Sequence, residues 1–350
     1  MPVSRRPLAS TAPAAPSRPQ GLAPEGLAPA RAAGWLVLLA ALLVPLAAAA
    51  SPLAQARQWV EWGDWIQARS LLDAALKSTP NDPKLLAYDA HVLLAFQENK
   101  QAVKLARQAV KLDARCGSCH LFLAEGLGQQ AKGVSRFRAL FKLHHILKHL
   151  KLALQLSPND PDVYWGFINY YLQVPPAAGG GAAKAYAYVR QLAQYDAVDG
   201  ALAMGEVEVA GGHPERAMQV YRQSAAAHPN DPRALFAVGE ALFRQGDFAA
   251  ALDWLQRARR LAPQSAFYTG YEAAALVHLS RQIQAWRLIR AYETRPQRSQ
   301  LPEFLVAQAL KAVGQNFPWA RQLLESYLAV PHEPNQPSHR VARSLLASLG

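Results

Sequence analysis

The chain has 350 residues, 51% of them hydrophobic, and a formal net charge of +12. Ala and Leu dominate and β-branched residues are sparse, which favours helix and argues against a sheet-based fold. Only two cysteines occur, too few for a disulfide-built scaffold.

Residues 1–34 are rich in Pro, Ala, Gly and Ser, with Arg5, Arg6, Arg18 and Arg31 as the only basic groups. Such a stretch cannot bury enough apolar surface to offset its ordering entropy. Trp35 to Ala50 is almost purely apolar, but its 16 residues are short for a spanning helix and Pro45 interrupts them. Ala48 and Ala50 before Ser51 fit a small-residue cleavage site. Residues 1–50 therefore read as a disordered basic n-region plus signal peptide, cleaved near Ala50/Ser51; the alternative is an uncleaved signal anchor. The expectation is an exported protein, periplasmic or cell-envelope. Removing residues 1–50 takes away four Arg and one Glu, leaving 33 basic and 24 acidic residues and a net +9. That balance favours anionic partners or surfaces without identifying them.

From Ser51 onward the chain repeats itself. Pro-Asn-Asp-Pro occurs at Pro80–Pro83, Pro158–Pro161 and Pro229–Pro232, each time between two amphipathic runs. The first Pro ends one helix, Asn and Asp suit the turn, and the second Pro suits the first turn of the next helix. The clearest copy, 232–265, carries Leu235, Gly239, Leu242, Gly246, Phe248, Ala251, Leu255, Ala258 and Pro263. Gly239 and Ala251 let two antiparallel helices approach, Gly246 makes the turn, and Ala258 admits the next pair. Val198 opens a copy with Gly205, Gly212, Ala217, Tyr221 and Pro229 in the same register. An earlier copy has Trp59, Gly63, Trp65, Ala68, Leu72, Ala75 and Pro80, and the one after it has Ala90, Leu93, Ala102, Ala106 and Ala109.

This pattern resembles the tetratricopeptide repeat family. Repeats begin near 49, 83, 117, 161, 198, 232 and 266, so two steps exceed 34 residues, by ten in repeat three and by three in repeat four. A degenerate eighth pair covers about 301–330, and a last helix near 338–349 caps the stack. The resemblance implies an all-α, right-handed solenoid of about eight antiparallel helix pairs. Residues 51–350 form one domain, with insertions at about 117–197. The middle, with Tyr170-Tyr171-Leu172, Pro175 to Gly181 and Lys184-Ala185, also resembles a group of exported bacterial repeat proteins. The family's usual role implies a non-catalytic protein- or peptide-binding scaffold of the bacterial cell envelope.

Cys116-Gly-Ser-Cys119-His120 is the sharpest local motif. It resembles the c-type haem attachment site, in which two thiols bond the haem and the His ligates iron. His144, His145 and His149 are then candidate second ligands. The alternatives are a local Cys116–Cys119 disulfide, suited to an oxidising compartment, or two inert thiols. A haem-bearing electron-transfer or haem-handling protein is thus the second functional reading, although ordinary repeat stacking leaves no room for a porphyrin there. The histidines lack an acidic or Cys partner nearby, so no metal site is assigned. A basic run, Lys132, Arg136, Arg138, Lys142, Lys148 and Lys151, has no acid between Glu125 and Asp160. Within 132–151 it could meet a membrane surface or acidic partner, or be the solvated side of an outer helix. No nucleic-acid-binding motif, G-x-S-x-G or H-E-x-x-H occurs, and Gly179-Gly180-Gly181 lacks the Lys-Ser/Thr of a phosphate loop.

By family resemblance, the second, fifth, ninth, twelfth and thirteenth repeat positions face the concave groove. Mapped on repeats three to seven, they give Glu125 and Gln129; Trp165, Asn169 and Leu172; and Leu202 and Glu206. Repeat six adds Arg233, Phe236, Glu240, Phe243 and Arg244, and repeat seven adds Phe267 and His278. Exposed rings beside charged groups suit a peptide groove. Part of this aromatic set is equally suited to packing between repeats.

Overall fold

The computed structural model describes residues 51–132, 136–295, 298–330 and 336–350. The leader read at residues 1–50 lies outside them. The described residues form seventeen α-helices and no strand, within one compact unit from Ala50 to Gly350. They pair as α1 (Pro52–Trp62) with α2 (Trp65–Ser78), α3 (Pro83–Ala95) with α4 (Asn99–Leu112), and α5 (Gly117–Lys132) with α6 (Arg136–Leu156). The next pairs are α7 (Pro161–Gln173) with α8 (Ala182–Tyr195), α9 (Ala197–Ala210) with α10 (Pro214–Ala227), and α11 (Pro232–Arg244) with α12 (Phe248–Leu261). Then come α13 (Ala266–His278) with α14 (Gln282–Glu293), α15 (Leu301–Ala312) with α16 (Phe317–Ala329), and a last helix, α17 (His339–Ala347). The all-α stack of eight pairs with a terminal helix is the one expected from the repeats.

The repeated tetrapeptides work as helix starts. In each, Asp is the N-cap and Pro opens the helix. Asp82 accepts the Lys84 and Leu85 N–H groups at 2.9 and 3.0 Å, Asp160 accepts that of Asp162 at 3.1 Å, and Asp231 that of Arg233 at 2.9 Å. Small residues set the interhelix distance: a Cβ on Gly239 would lie 2.8 Å from the Leu255 side chain. The turn inside a pair needs a left-handed residue. Gly63, Gly212, Gly246 and Gly314 supply it, whereas Gln97 and Ser280 take the same conformation at φ 62° and 60°.

The long steps are visible as local changes. Helices α5 and α6 have 16 and 21 residues where α3 and α4 have 13 and 14, so the ten-residue insertion splits into three and seven. In repeat four the α7–α8 turn runs over 174–181, and Asp196 alone links α8 to α9. This glycine turn is tightly folded: Gly181 N–H donates to the Tyr171 carbonyl at 2.8 Å, and a Cβ on Gly180 would collide with the Val174 carbonyl.

The buried apolar residues fall into two large clusters, one running from α1 to α9 and one from α9 to the C-terminus. The stack also curves back on itself. Buried Asp64, in the first turn, accepts the Ser299 backbone N–H at 2.8 Å, 235 residues away. A Cβ on neighbouring Gly63 would touch the Phe267 ring at 2.9 Å. Arg57 of α1 pairs with Asp162 of α7 at 3.2 Å. Pair one thus meets pairs four and seven and the segment leading into pair eight.

Candidate functional site

The first four pairs enclose a cavity of about 670 Å³ on the inner face of the curve. The first helix of each pair contributes: Arg57, Val60 and Glu61 from α1, Tyr88 and His91 from α3, Phe122, Glu125 and Gln129 from α5, and Trp165 and Asn169 from α7. Among the described second helices only α6 lines it, through Leu143, Ile146 and Leu150. Both insertions reach it. Ala131 belongs to the three extra residues of α5, Leu143 follows the seven extra residues of α6, and Val174 and Pro175 belong to the long turn of repeat four. Gly128 leaves one wall open, because among the described residues a Cβ there would meet nothing within 4 Å.

The polar groups of the cavity hold one another. Arg57 pairs with Asp162 and lies 5.4 Å over the Tyr88 ring. His91 Nδ1 stands 2.8 Å from Glu125 Oε2, with the Phe122 ring 4.9 Å from the imidazole. Burial works against the charge on His91, but Glu125 outweighs it and holds the imidazole above its ordinary value. Burial pushes the Tyr88 phenol well above its usual range, so it stays neutral. Trp165, at the cavity edge, lies near Asp199 of the next repeat, whose carboxyl burial raises to about 6 with Arg233 and the Trp165 indole opposing. Glu61 is exposed and makes no ion pair among the described residues.

Of the groove residues read from the sequence, the structure brings Glu125, Gln129, Trp165 and Asn169 into this cavity. Leu172 packs against the core beside it. Arg57, Val60, Glu61 and His91 were missed. They occupy the ninth, twelfth and thirteenth positions of repeat one and the ninth of repeat two, so the same rule finds them once it is applied to those repeats.

The remaining groove residues do not line the cavity. Arg233 is committed to Asp199 and Asp231 at 2.8 Å and to Asp196 at 3.2 Å. Phe236 packs on Tyr268 and Tyr271, with ring centres 4.8 and 5.3 Å away. Phe243 meets Phe248 and Tyr271, and His278 stacks flat on Phe248 at 3.8 Å. Glu240 takes hydrogen bonds from Arg244 at 2.7 Å and from the Tyr271 hydroxyl at 3.0 Å. Phe267 covers Gly63, Leu202 packs against the core, and Glu206 is exposed.

The haem resemblance of Cys116-x-x-Cys119-His120 is not supported. Cys116 and Cys119 are joined as a disulfide, with Cα atoms 5.2 Å apart, and both are buried. The thiols that would bond a haem are therefore consumed. His120 is buried, and its Nε2 donates to the Ala114 carbonyl at 3.1 Å, which leaves Nδ1 to accept from His149 Nδ1 at 2.9 Å. No ring nitrogen of His120 remains for iron. Burial and the neighbouring His120 lower His149 to about 4. His144 and His145 are exposed, and among the described residues no group of three His, Cys, Asp or Glu is placed to hold a metal. The basic run divides: Lys148 and Lys151 are exposed, Lys142 donates to Gln130 at 3.2 Å, and the side chains of Lys132, Arg136 and Arg138 lie outside the described set. Ile146, Leu150 and Ala153 of α6 are buried, and Leu143, Ile146 and Leu150 line the cavity. Among the described residues no helix is long and apolar enough to cross a membrane.

Residues 202–266, from α9 to the start of α13, match the family model described as tetratricopeptide repeat. No curated protein matches the chain. Among solved structures, the chain is similar to yeast Tom70, with a TM-score of 0.55 at 14% identity over 81% of this chain and 58% of that one. It also matches the Cut9–Hcn1 hetero-tetramer of the APC/C, with a TM-score of 0.44 at 16% identity over 85% of this chain and 55% of that one. For TTC0263, a thermophilic TPR protein of Thermus thermophilus, the TM-score is 0.38 at 20% identity, covering 65% of this chain and 97% of that one. The chain thus spans a little over half the length of the Tom70 and Cut9–Hcn1 chains. The likeness to Tom70 is one of fold: a tetratricopeptide-type helical stack.

Proposed function

We propose that the protein is a non-catalytic scaffold of the bacterial cell envelope that binds a protein or peptide segment in the cavity of repeats one to four. One observation carries this reading: both departures from the 34-residue step supply walls to the same inner-face cavity. Regular stacking needs neither insertion. A concave site with an apolar floor and a few convergent polar groups is the usual form of a binding pocket. The Arg57–Asp162 and His91–Glu125 pairs stiffen its walls rather than present a free nucleophile or base. Export rests on the apolar run Trp35–Ala50 and the small residues before Ser51.

Gly128→Trp tests the site. Its side chain would enter open space, and replacing a helical Gly carries no helix-propensity cost. Affinity capture from envelope extract, followed by direct titration of the captured protein, should show binding by the native chain and none by Gly128→Trp, with helical circular dichroism unchanged. Equal binding by both would remove the cavity from the account.

A further inference from the structure

The chemistry of the cavity narrows what enters it, and the narrowing rests on the reading just given. Besides Tyr88 and Tyr170, five ionisable side chains among the described residues line the space: Arg57, Glu61, His91, Glu125 and Asp162. Two pairs cancel, Arg57 with Asp162 and His91 with Glu125. Glu61, one helical turn beyond Arg57 on α1, makes no ion pair among the described residues; burial raises its carboxyl, and Arg233 and Arg57 act against that from a distance. The described lining of the cavity is therefore acidic, within a chain whose formal charge is +12. Among the described residues an anionic ligand would find one permanent cation in the lining, Arg57, already held at 3.2 Å by Asp162 and accompanied by two further carboxylates.

The other walls specify the rest of the ligand. Leu121, Leu143, Ile146 and Leu150 make an apolar floor between α5 and α6. Gln129, Asn169 and Gln173 place three side-chain amides around it. Amides both donate and accept, so they suit the free N–H and C=O groups of an extended backbone. A helix satisfies its own backbone and has no use for them.

We propose that the cavity binds an extended peptide segment whose apolar side chains fill the floor between α5 and α6 and whose Lys or Arg side chain pairs with Glu61. The partner is thus a protein with an exposed, cationic, apolar strand or tail. Binding weakens with salt, because the Glu61 pair is exposed and screened.

The test uses two fluorescein-labelled synthetic peptides with the same Leu- and Phe-containing core, one flanked by Lys and one by Glu. Their affinities are measured by anisotropy on the native chain, on Glu61→Gln and on Gly128→Trp. The Lys-flanked peptide should bind about tenfold more tightly than the Glu-flanked one. Glu61→Gln should erase most of that preference by weakening the Lys-flanked peptide alone, and Gly128→Trp should abolish both. Equal affinities, a preference for the Glu-flanked peptide, or an unchanged preference in Glu61→Gln would overturn the charge assignment. If Gly128→Trp still blocks both peptides, the cavity itself stands; if neither peptide binds the native chain, this ligand class is wrong whatever the captured partner proves to be.

Discussion

Repeats one to four and repeats five to eight obey the same positional rule and use it in opposite ways. In the first half, inner-face residues surround a cavity of about 670 Å³. In the second half, the equivalent residues satisfy one another: Phe236 and Phe243 lean on Tyr271, His278 stacks on Phe248, and Arg233 neutralises three aspartates. The difference follows from spacing. In repeats five and six the 34-residue step is kept and the inner-face residues cover one another; repeats one and two keep it as well, but their inner faces open onto the lengthened repeat three. Where repeat three is lengthened by ten residues, α5 and α6 project beyond the regular pairs and the inner face stays open. A groove position is thus a place where a side chain points, and its neighbours decide whether it binds a partner or packs.

Breaking the second half should therefore cost stability and leave binding alone. The largest such effect is expected for Arg233→Ala, which leaves Asp196, Asp199 and Asp231 facing each other without a cation. Because the Arg233 side chain is 38% exposed, the cost is discounted to about 2 kcal/mol. Denaturant unfolding would register it as a lower midpoint.

The first half contains its own weak point. Asp89 on α3 is buried, and its Oδ1 has no hydrogen-bond partner among the described residues. Burial, with Asp73 and Glu98 adding and Arg69 opposing, raises its carboxyl to about 6. A raised carboxyl favours the folded state while it is protonated. Its contribution is full below the ordinary value of 3.8 and is lost as pH rises through about 6. Asp89→Asn should stabilise the protein by about 1–2 kcal/mol at pH 8 and have little effect near pH 3. Equal effects at both values would show that the carboxyl is not strained by burial.

The smallest effect sharpens the repeat register shared by both halves. Gln97 and Ser280 hold the left-handed turn that glycine holds elsewhere. Gln97→Gly and Ser280→Gly should each raise stability by roughly 0.5–1 kcal/mol, visible as a higher Tm, while Gly246→Ala should lower it.

Much of this architecture was legible because its causes are local. A Pro-Asn-Asp-Pro run starts a helix through the Asp carboxylate, and a Gly opposite Leu255 permits close packing; both read directly from residue type and spacing. Closure was not legible. The Asp64–Ser299 bond depends on small rotations accumulated over the whole stack, and no single motif encodes that sum. The Cys116 motif shows the same limit. Its spacing admits a haem link, a disulfide or free thiols, and the packing of α5 against α6, which brings His149 to His120, decides the histidine's role. Trp165, Glu125, Gln129 and Asn169 were reached by position alone. The apolar wall from α6 was missed because a second helix lines the inner face only where repeat three is lengthened.

The most direct measurement is a parallel titration of the captured partner into the native chain, Gly128→Trp and Phe243→Ala, with Tm recorded for each. Binding in the first half and packing in the second predict that Gly128→Trp loses affinity at least about a hundredfold, close to 3 kcal/mol, at unchanged Tm. Phe243→Ala should keep native affinity at a lower Tm. Native affinity in Gly128→Trp together with lost affinity in Phe243→Ala would contradict the division and place the binding face in the second half.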